Sequence, residues 1–326
     1  MQAMSDRDDA TVAGKIPVGI SSCLMGQAVR HDGGHKANCY IMQSLGVHFE
    51  LRPFCPELAI GLGVPRTPIR LQRNDGARIH CVFVDDDSRD CTDVLQLAAD
   101  QQIQSQSRLC GYILKQDSPS CGMEKVKVWE GQTPLRDGVG IFARRLMENF
   151  PTLPVEEEGR LRDSALRENF IQRVFALSRW REFVANRLSV NGLIDFHARH
   201  SLVIMSHDQL QEQKLKQLVA ATDESNLTEN AEQYLLGFMK VLCVFASREN
   251  HLGVLRHVKA TLAKQLSGEE ESELVEAIEK YRAGRVSVMV PITLLNHFFK
   301  KHPNDNIANS WYMNPTPAEL QLRGES

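Results

Sequence analysis

IPVGISSC, residues 16–23, is an apolar run with β-branched residues that stops on a cysteine. The arrangement recurs twice. VHFELRPF (47–54) stops on Cys55, and CGYILK (110–115) leads into the loop SPSCG (118–122), which carries Cys121. Segments 36–45 and 88–108 read as helices, the second with Val94, Leu95, Leu97, Ala98 and Ile103 on one broad face. IHCVFVDD (79–86) reads as a further strand and 139–149 as a short helix. Strands alternating with helices of this length predict βαβ units and a parallel sheet. The three cysteines are 32 and 66 residues apart, too far for a local knuckle. In a parallel sheet they converge at the carboxyl edge, where ligands of such sheets bind.

Three thiolates at one edge are a metal site with an open position. Each is followed by a turn or helix start, whose N–H groups favour an anionic guest. Structural zinc takes four protein ligands, usually with paired CxxC spacing, which is missing around these cysteines. Soft thiolates also select iron–sulfur clusters, and three of them leave one iron of a [4Fe–4S] cube open. The bland alternative is that all three are core thiols near strand ends.

The stretch FPTLPVEEEGRLRD (150–163) interrupts this alternation with two prolines and an acid run, and predicts a domain boundary. Beyond it helices are expected over 166–187, 193–218, 228–245, 252–266, 271–281 and 291–301, with a capping box in SGEE (267–270). The fold class expected is therefore α/β followed by all-α, with a parallel-sheet domain at 16–150 and a helical domain at 163–326. The chain has 326 residues, 42% hydrophobic and 24% charged, as in an ordinary soluble protein. No apolar stretch reaches bilayer length. The opening MQAMSDRDDATVAGK lacks the pattern of a secretory signal. A cytoplasmic protein is expected, with its eight cysteines reduced. The net charge of −3 removes a global basic signature for nucleic acid. Any such surface must be local, and DNA is not an expected partner.

SSCLMG with RHDGGHK, then FCPE with GLGVPR, then LKQDSPSCG resembles the thiouracil desulfurase family over residues 16–150. FHARHSLVIMSH (196–207), VPITLLNHF (290–298) and YMNPTPAEL (312–320) resemble the helical YbgA-like domain. The two together resemble bacterial fusions that desulfurate 4-thiouridine in tRNA. The resemblance implies a Rossmann-like domain holding a [4Fe–4S] cluster on Cys23, Cys55 and Cys121. It implies a catalytic carboxylate at Glu57 and a serine at Ser118 or Ser120. It implies non-redox hydrolytic desulfuration: the open iron polarises a thiocarbonyl, water attacks C4, and Glu57 handles the proton. The substrate implied is 4-thiouridine in tRNA or a thiopyrimidine nucleotide. Rival readings are salvage of free thiouracil, a cluster-based sensor without catalysis, and a zinc-bound structural module. His31 stands where relatives often carry an aromatic residue.

Asp32 reads as turn chemistry or a substrate contact, and Arg66 as a partner for Glu57 or a phosphate contact. Lys115 could neutralise charge beside the loop or simply be solvated. Cys39, Cys81, Cys91, Cys110 and Cys243 read as small buried residues, and Asp85–Asp87 as a solvated turn. His197 and His200, at i and i+3, and His207 have no companion acid pattern for metal. Arg199, Arg256, Lys259, Arg282, Arg285, Lys300 and Lys301 are candidates for a phosphate-gripping face.

Overall fold

The structure is a computed structural model that describes residues 14–73, 78–105, 108–186 and 188–315. The polar stretch 1–13 and the end of the Pro-punctuated tail lie outside the described residues. The chain divides into two compact units, the first reaching Ser178 and the second running from Arg179 to Gln321.

The first unit holds two four-stranded sheets. Strands β1 (Ile16–Ser21), β2 (Phe49–Phe54), β5 (Gly111–Leu114) and β8 (Val155–Glu157) form a wholly parallel sheet in the order β2-β1-β5-β8. Its centre is dry: Val18, Ile20, Tyr112, Ile113 and Leu114 are fully buried. Continuous apolar runs are what a sheet covered on both faces requires. The register pairs Ser21 with Phe54 and Ile20 with Ile113, so β1, β2 and β5 finish level. The chain passes from β1 to β2 on one side, then to β5 on the other. That reversal is the topological switch point at which parallel sheets bind ligands.

The second sheet runs β4-β3-β6-β7, from β3 (Ile69–Arg73), β4 (Ile79–Phe83), β6 (Val126–Glu130) and β7 (Thr133–Gly138). The strand expected at 79–86 is therefore real, but it pairs antiparallel with β3 outside the parallel sheet. The alternating strands at the centre of this sheet, IRLQR and VKVWE, bury Leu71, Val126 and Val128 on one face.

Around the sheets lie α1 (Gly46–His48, continuing a π-helical turn at Ile41–Leu45), α2 (Pro56–Ala59), α3 (Thr92–Ser105) and α4 (Ile141–Asn149). Helix α5 (Ser164–Ala185) closes one face of the parallel sheet with its first half. Phe170 and Val174 pack over Gly111, and the rings of Phe175 and Phe49 lie 6.0 Å apart. The stretch 150–163 lies within the first unit. The acid run there is not a linker. It is β8 and its exit, with Glu156 and Glu157 buried: Glu156 pairs with Arg160 at 2.6 Å, and Glu157 accepts from the Met123 N–H at 2.8 Å.

The second unit comprises α6 (Val190–His207), α7 (Gln209–Ala220), α8 (Leu227–Leu242), α9 (Arg248–Leu262), α10 (Gly268–Arg282), α11 (Met289–Lys301) and α12 (Asp305–Ala308). The helix expected over 193–218 is two. Asp208 is extended (φ −158°, ψ 112°) and its carboxylate accepts from the N–H groups of Leu210 and Gln211, starting α7. The capping box is present, with Ser267 and Glu270 each accepting from the other's backbone N–H. Among the described residues no helix is long and apolar enough to cross a membrane.

Candidate active site

Three strand ends supply the site. β1 gives way to a 3-10 turn, Ser22–Met25, which carries Cys23 and closes on Gly26 at φ +82°. β2 runs into Cys55, which is the N-cap of α2, with Pro56 and Glu57 in its first turn. Proline there has no N–H to lose, so the turn forms at once and sets Glu57 two residues from the cysteine. β5 opens into the loop 115–121, where Asp117 takes φ +59°. Gly140 makes that loop possible by close approach: a Cβ would lie 2.6 Å from the backbone carbonyl of Ser120 and 2.8 Å from the Gly122 nitrogen.

These segments wall a cavity of about 440 Å³, lined by all three cysteines, Glu57, Ser118 and Ser120. The sequence prediction that the thiols converge is thereby met in space. Cys23 and Cys121 are buried and Cys55 is partly exposed. Burial pushes the Cys23 thiol up to about 11, Lys115 opposing and Cys55 adding to the rise. Burial also raises Cys55, with the Glu57 charge adding to it. Cys121 rises furthest, again through burial, with the hydroxyl of Ser21 opposing and the other two thiols and Glu57 adding. Two buried thiols and a partly exposed third, each raised by burial, are a soft donor set that suits a thiophilic inorganic group. They do not suit a single ion. One zinc holds its thiolates roughly 3.8 Å apart, from bonds of about 2.3 Å at tetrahedral angles. Among the described residues no three His, Cys, Asp or Glu side chains are grouped to hold one metal ion.

Glu57 is held on both oxygens. Arg66 donates to Oε2 through Nε at 3.0 Å and through its terminal nitrogen at 2.6 Å, and Ser120 Oγ donates to Oε1 at 2.7 Å. Arg66 is anchored in turn by the carbonyls of Val29 and Gly63. Of the two roles open to Arg66, the structure shows the partner to Glu57. The two serines divide their work. Ser118 Oγ accepts from the backbone N–H groups of Ser120 (3.3 Å) and Cys121 (3.0 Å), fixing the loop, while Ser120 alone reaches the carboxylate. The hydroxyls lie 3.0 Å apart.

Arg30, His31, Lys36 and Lys115 add cationic or titratable groups to the same cavity wall. Lys115 pairs with Glu158, which also accepts from the Gln116 N–H at 2.7 Å, so this lysine is tied down rather than solvated. Asp32 caps its own turn, accepting from the Gly34 N–H at 3.0 Å. Ser21 and Glu158 were not singled out from sequence. Ser21 Oγ accepts from the Lys115 N–H at 3.0 Å and so ties β1 to the loop after β5. A serine closing an apolar strand beside a cysteine was the only available signal.

The other cysteines separate by exposure. Cys81, Cys91 and Cys110 are buried as expected, but Cys39 and Cys243 are exposed. In the second unit His197, His200 and His207 are buried without meeting at a metal-ligand set. Among the seven basic candidates Lys259, Arg282 and Lys301 are paired with Glu271, Glu279 and Glu270. Arg199 lies over the Trp311 ring, 4.2 Å from its centroid.

Comparison with known proteins places two matches side by side on the chain. Residues 18–158 match the family model of 2-thiouracil desulfurase, and residues 202–317 match that of a protein of unknown function, DUF1722. The uncharacterized protein YbgA of Escherichia coli (strain K12) is 27% identical over 152 residues, covering 46% of this chain and 90% of that protein. A solved structure, the [4Fe-4S]-dependent thiouracil desulfidase TudS, shares 28% identity over 45% of this chain and 94% of its own, with a TM-score of 0.38.

Proposed function

We propose that the chain is a [4Fe–4S]-dependent desulfurase that hydrolyses 4-thiouridine, in tRNA or as a nucleotide, to uridine and sulfide. Cys23, Cys55 and Cys121 would hold the cluster. Such a group supplies a thiophilic Lewis acid with one open position, and no net electron transfer is needed. The balance is one thiocarbonyl and one water giving one carbonyl and hydrogen sulfide. The chain's own residues supply the rest. Glu57, with Oε2 locked on Arg66, takes the proton of the attacking water at Oε1 and returns it to the departing sulfur. Ser120 orients Oε1 by its 2.7 Å hydrogen bond, and Ser118 keeps Ser120 and Cys121 in register. The helical unit would position an RNA by its backbone, and the target base would have to be turned out to reach the cavity.

The observation that carries the reading is the meeting of three distant thiols and an oriented carboxylate in one cavity at a sheet switch point. The 2-thiouracil desulfurase match over 18–158 supports the reaction type. Its description favours a second substrate, free thiouracil. Anaerobic sulfide release measured side by side on thiolated tRNA, a 4-thiouridine nucleotide and free thiouracil separates these. Turnover confined to the free base overturns the RNA reading. Protein carrying iron and sulfide that releases none from any of the three overturns the enzyme.

A further inference from the structure

A second cavity of the first unit, of about 590 Å³, adjoins the one that holds the three cysteines. That volume falls in the range of small-ligand sites. Lys36 lines both cavities. Lys115 lines the first, and Glu158, its ion-pair partner, lines the second. Lys36 and this pair therefore stand between the two. The segment that carries Lys36 is fastened to the first cysteine turn. The Lys36 N–H donates to the Cys23 carbonyl at 2.9 Å, and the Asn38 N–H to that of Leu24 at 3.0 Å.

The charge of this second cavity is one-sided. Lys36, Arg162 and Arg167 bring cations to its lining, against the single carboxylate of Glu158 among the described lining residues. That carboxylate is already committed, to Lys115 and to the Gln116 N–H at 2.7 Å. The nearby carboxylate of Asp163 caps α5, accepting from the Leu166 N–H at 3.0 Å. Arg167 is 8% exposed and held in place. One terminal nitrogen donates to the Leu161 carbonyl at 3.2 Å, and the guanidinium lies 5.5 Å from the centroid of the Tyr40 ring. Lys36 and Arg162 are exposed, and among the described residues neither side chain meets a carboxylate. Two cations without a counter-charge, beside a third that is buried and fixed, are a setting for an oxyanion of the phosphate kind.

We infer that the second cavity receives the phosphate group of a pyrimidine nucleotide whose base occupies the cysteine cavity. Lys36 and Arg162 donate to the phosphate oxygens, and Arg167 supplies fixed charge behind them. One ribose separates base from phosphate, so the guest reaches from one cavity to the other past Lys36. The inference rests on the desulfuration reading for the place of the base, and it adds what selects the substrate: a thiopyrimidine carried on a phosphate is preferred to the free base. A free nucleotide and an RNA chain both bring this group, and the test separates them.

The test is calorimetric titration of the full chain, after anaerobic reconstitution with iron and sulfide, with uridine, uridine 5′-monophosphate and a short unstructured oligouridylate. None of these probes carries sulfur, so the readout does not depend on turnover. The monophosphate should bind about tenfold or more tighter than uridine, the worth of one charge-assisted contact. Added salt should shrink that advantage. The ratio should fall toward one in the double variant Lys36→Gln, Arg162→Gln and persist in Lys36→Arg. Both positions are exposed, and circular dichroism checks that the variants fold. Tighter binding of the oligouridylate than of the monophosphate identifies RNA, and the reverse identifies a free nucleotide. The inference fails if neither phosphate-bearing probe binds more tightly than uridine, or if the advantage survives the double substitution. A phosphate preference without sulfide release from any thiolated substrate overturns the desulfurase and leaves this subsite standing. Sulfide release without a phosphate preference does the opposite.

Discussion

Replacing Ser120 and Ser118 in turn should give two different failures. Ser120→Ala removes one hydrogen bond to an ionised carboxylate, the 2.7 Å contact to Glu57 Oε1. A hydrogen bond to a charged group contributes about 1.5–3 kcal/mol. If that orientation is used in the proton transfer, the barrier rises by the same amount. The expected loss in kcat/KM is then about 10–100-fold. The backbone of the loop is untouched, because the N–H groups of Ser120 and Cys121 both end on Ser118. Iron and sulfide content should stay at the wild-type level. Ser118→Ala is the converse. It leaves those two N–H groups without their acceptor, at a cost of about 1–3 kcal/mol, and frees the segment that carries Cys121. Iron content and thermal stability should fall together, and turnover per bound cluster should change little. The assay is anaerobic sulfide release normalised to iron, with iron and acid-labile sulfide counted on the same sample. Wild-type turnover in Ser120→Ala, or loss of iron in Ser120→Ala but not in Ser118→Ala, refutes the division of labour.

Cys55→Ala should abolish iron and sulfide uptake after anaerobic reconstitution while circular dichroism stays that of the wild type; retained iron at full stoichiometry would contradict the three-thiol site. Arg66→Gln strands Glu57 in a pair whose side chains are only 7% and 15% exposed. A loss of about 2–3 kcal/mol in urea unfolding is expected, discounted for the water that reaches the pair. Gly140→Ala forces a Cβ onto the Ser120 carbonyl, so both stability and iron content should drop, and an unchanged melting temperature would show that the loop yields freely. In the second unit the Lys301 ammonium and the Ser267 backbone hold Glu270 down at about 2, from an ordinary 4.5. A depressed carboxylate pKa means the unfolded chain binds the proton first, so this contribution is intact above pH 4.5 and fades as pH falls toward 2. Thermal scans of wild type and Glu270→Gln should therefore differ near neutrality and converge in acid.

What could be read from sequence followed the burial of each element. β1, β2 and β5 lie in the covered sheet, so they are uninterrupted apolar runs, and their terminal cysteines marked the site. β3, β6 and β7 belong to a sheet with an open face, and TPLRDG buries only its last residue. Such strands carry too little periodic signal to separate from loop. β8 was lost for a different reason. Three residues between Pro154 and an acid run look like a linker. Those acids are spent on Arg160, on the Met123 N–H and on Lys115, all partners that lie far away or face inward only once folded. Glu57 and the cysteines were legible through motif. The distinct tasks of Ser118 and Ser120 were not, since hydroxyls two residues apart differ only in what they reach across space.

Cys23, Cys55 and Cys121 come from three separate crossings of the sheet, and nothing short of the finished strand order brings them within reach of one another. A zinc knuckle can gather its ligands while the chain is still loose, and the ion then steers folding. Here the sequence of events is reversed. If the three thiols are the seat proposed above, the sheet that carries them has to form before one inorganic guest can be gripped by all three. On that reading, loading follows folding.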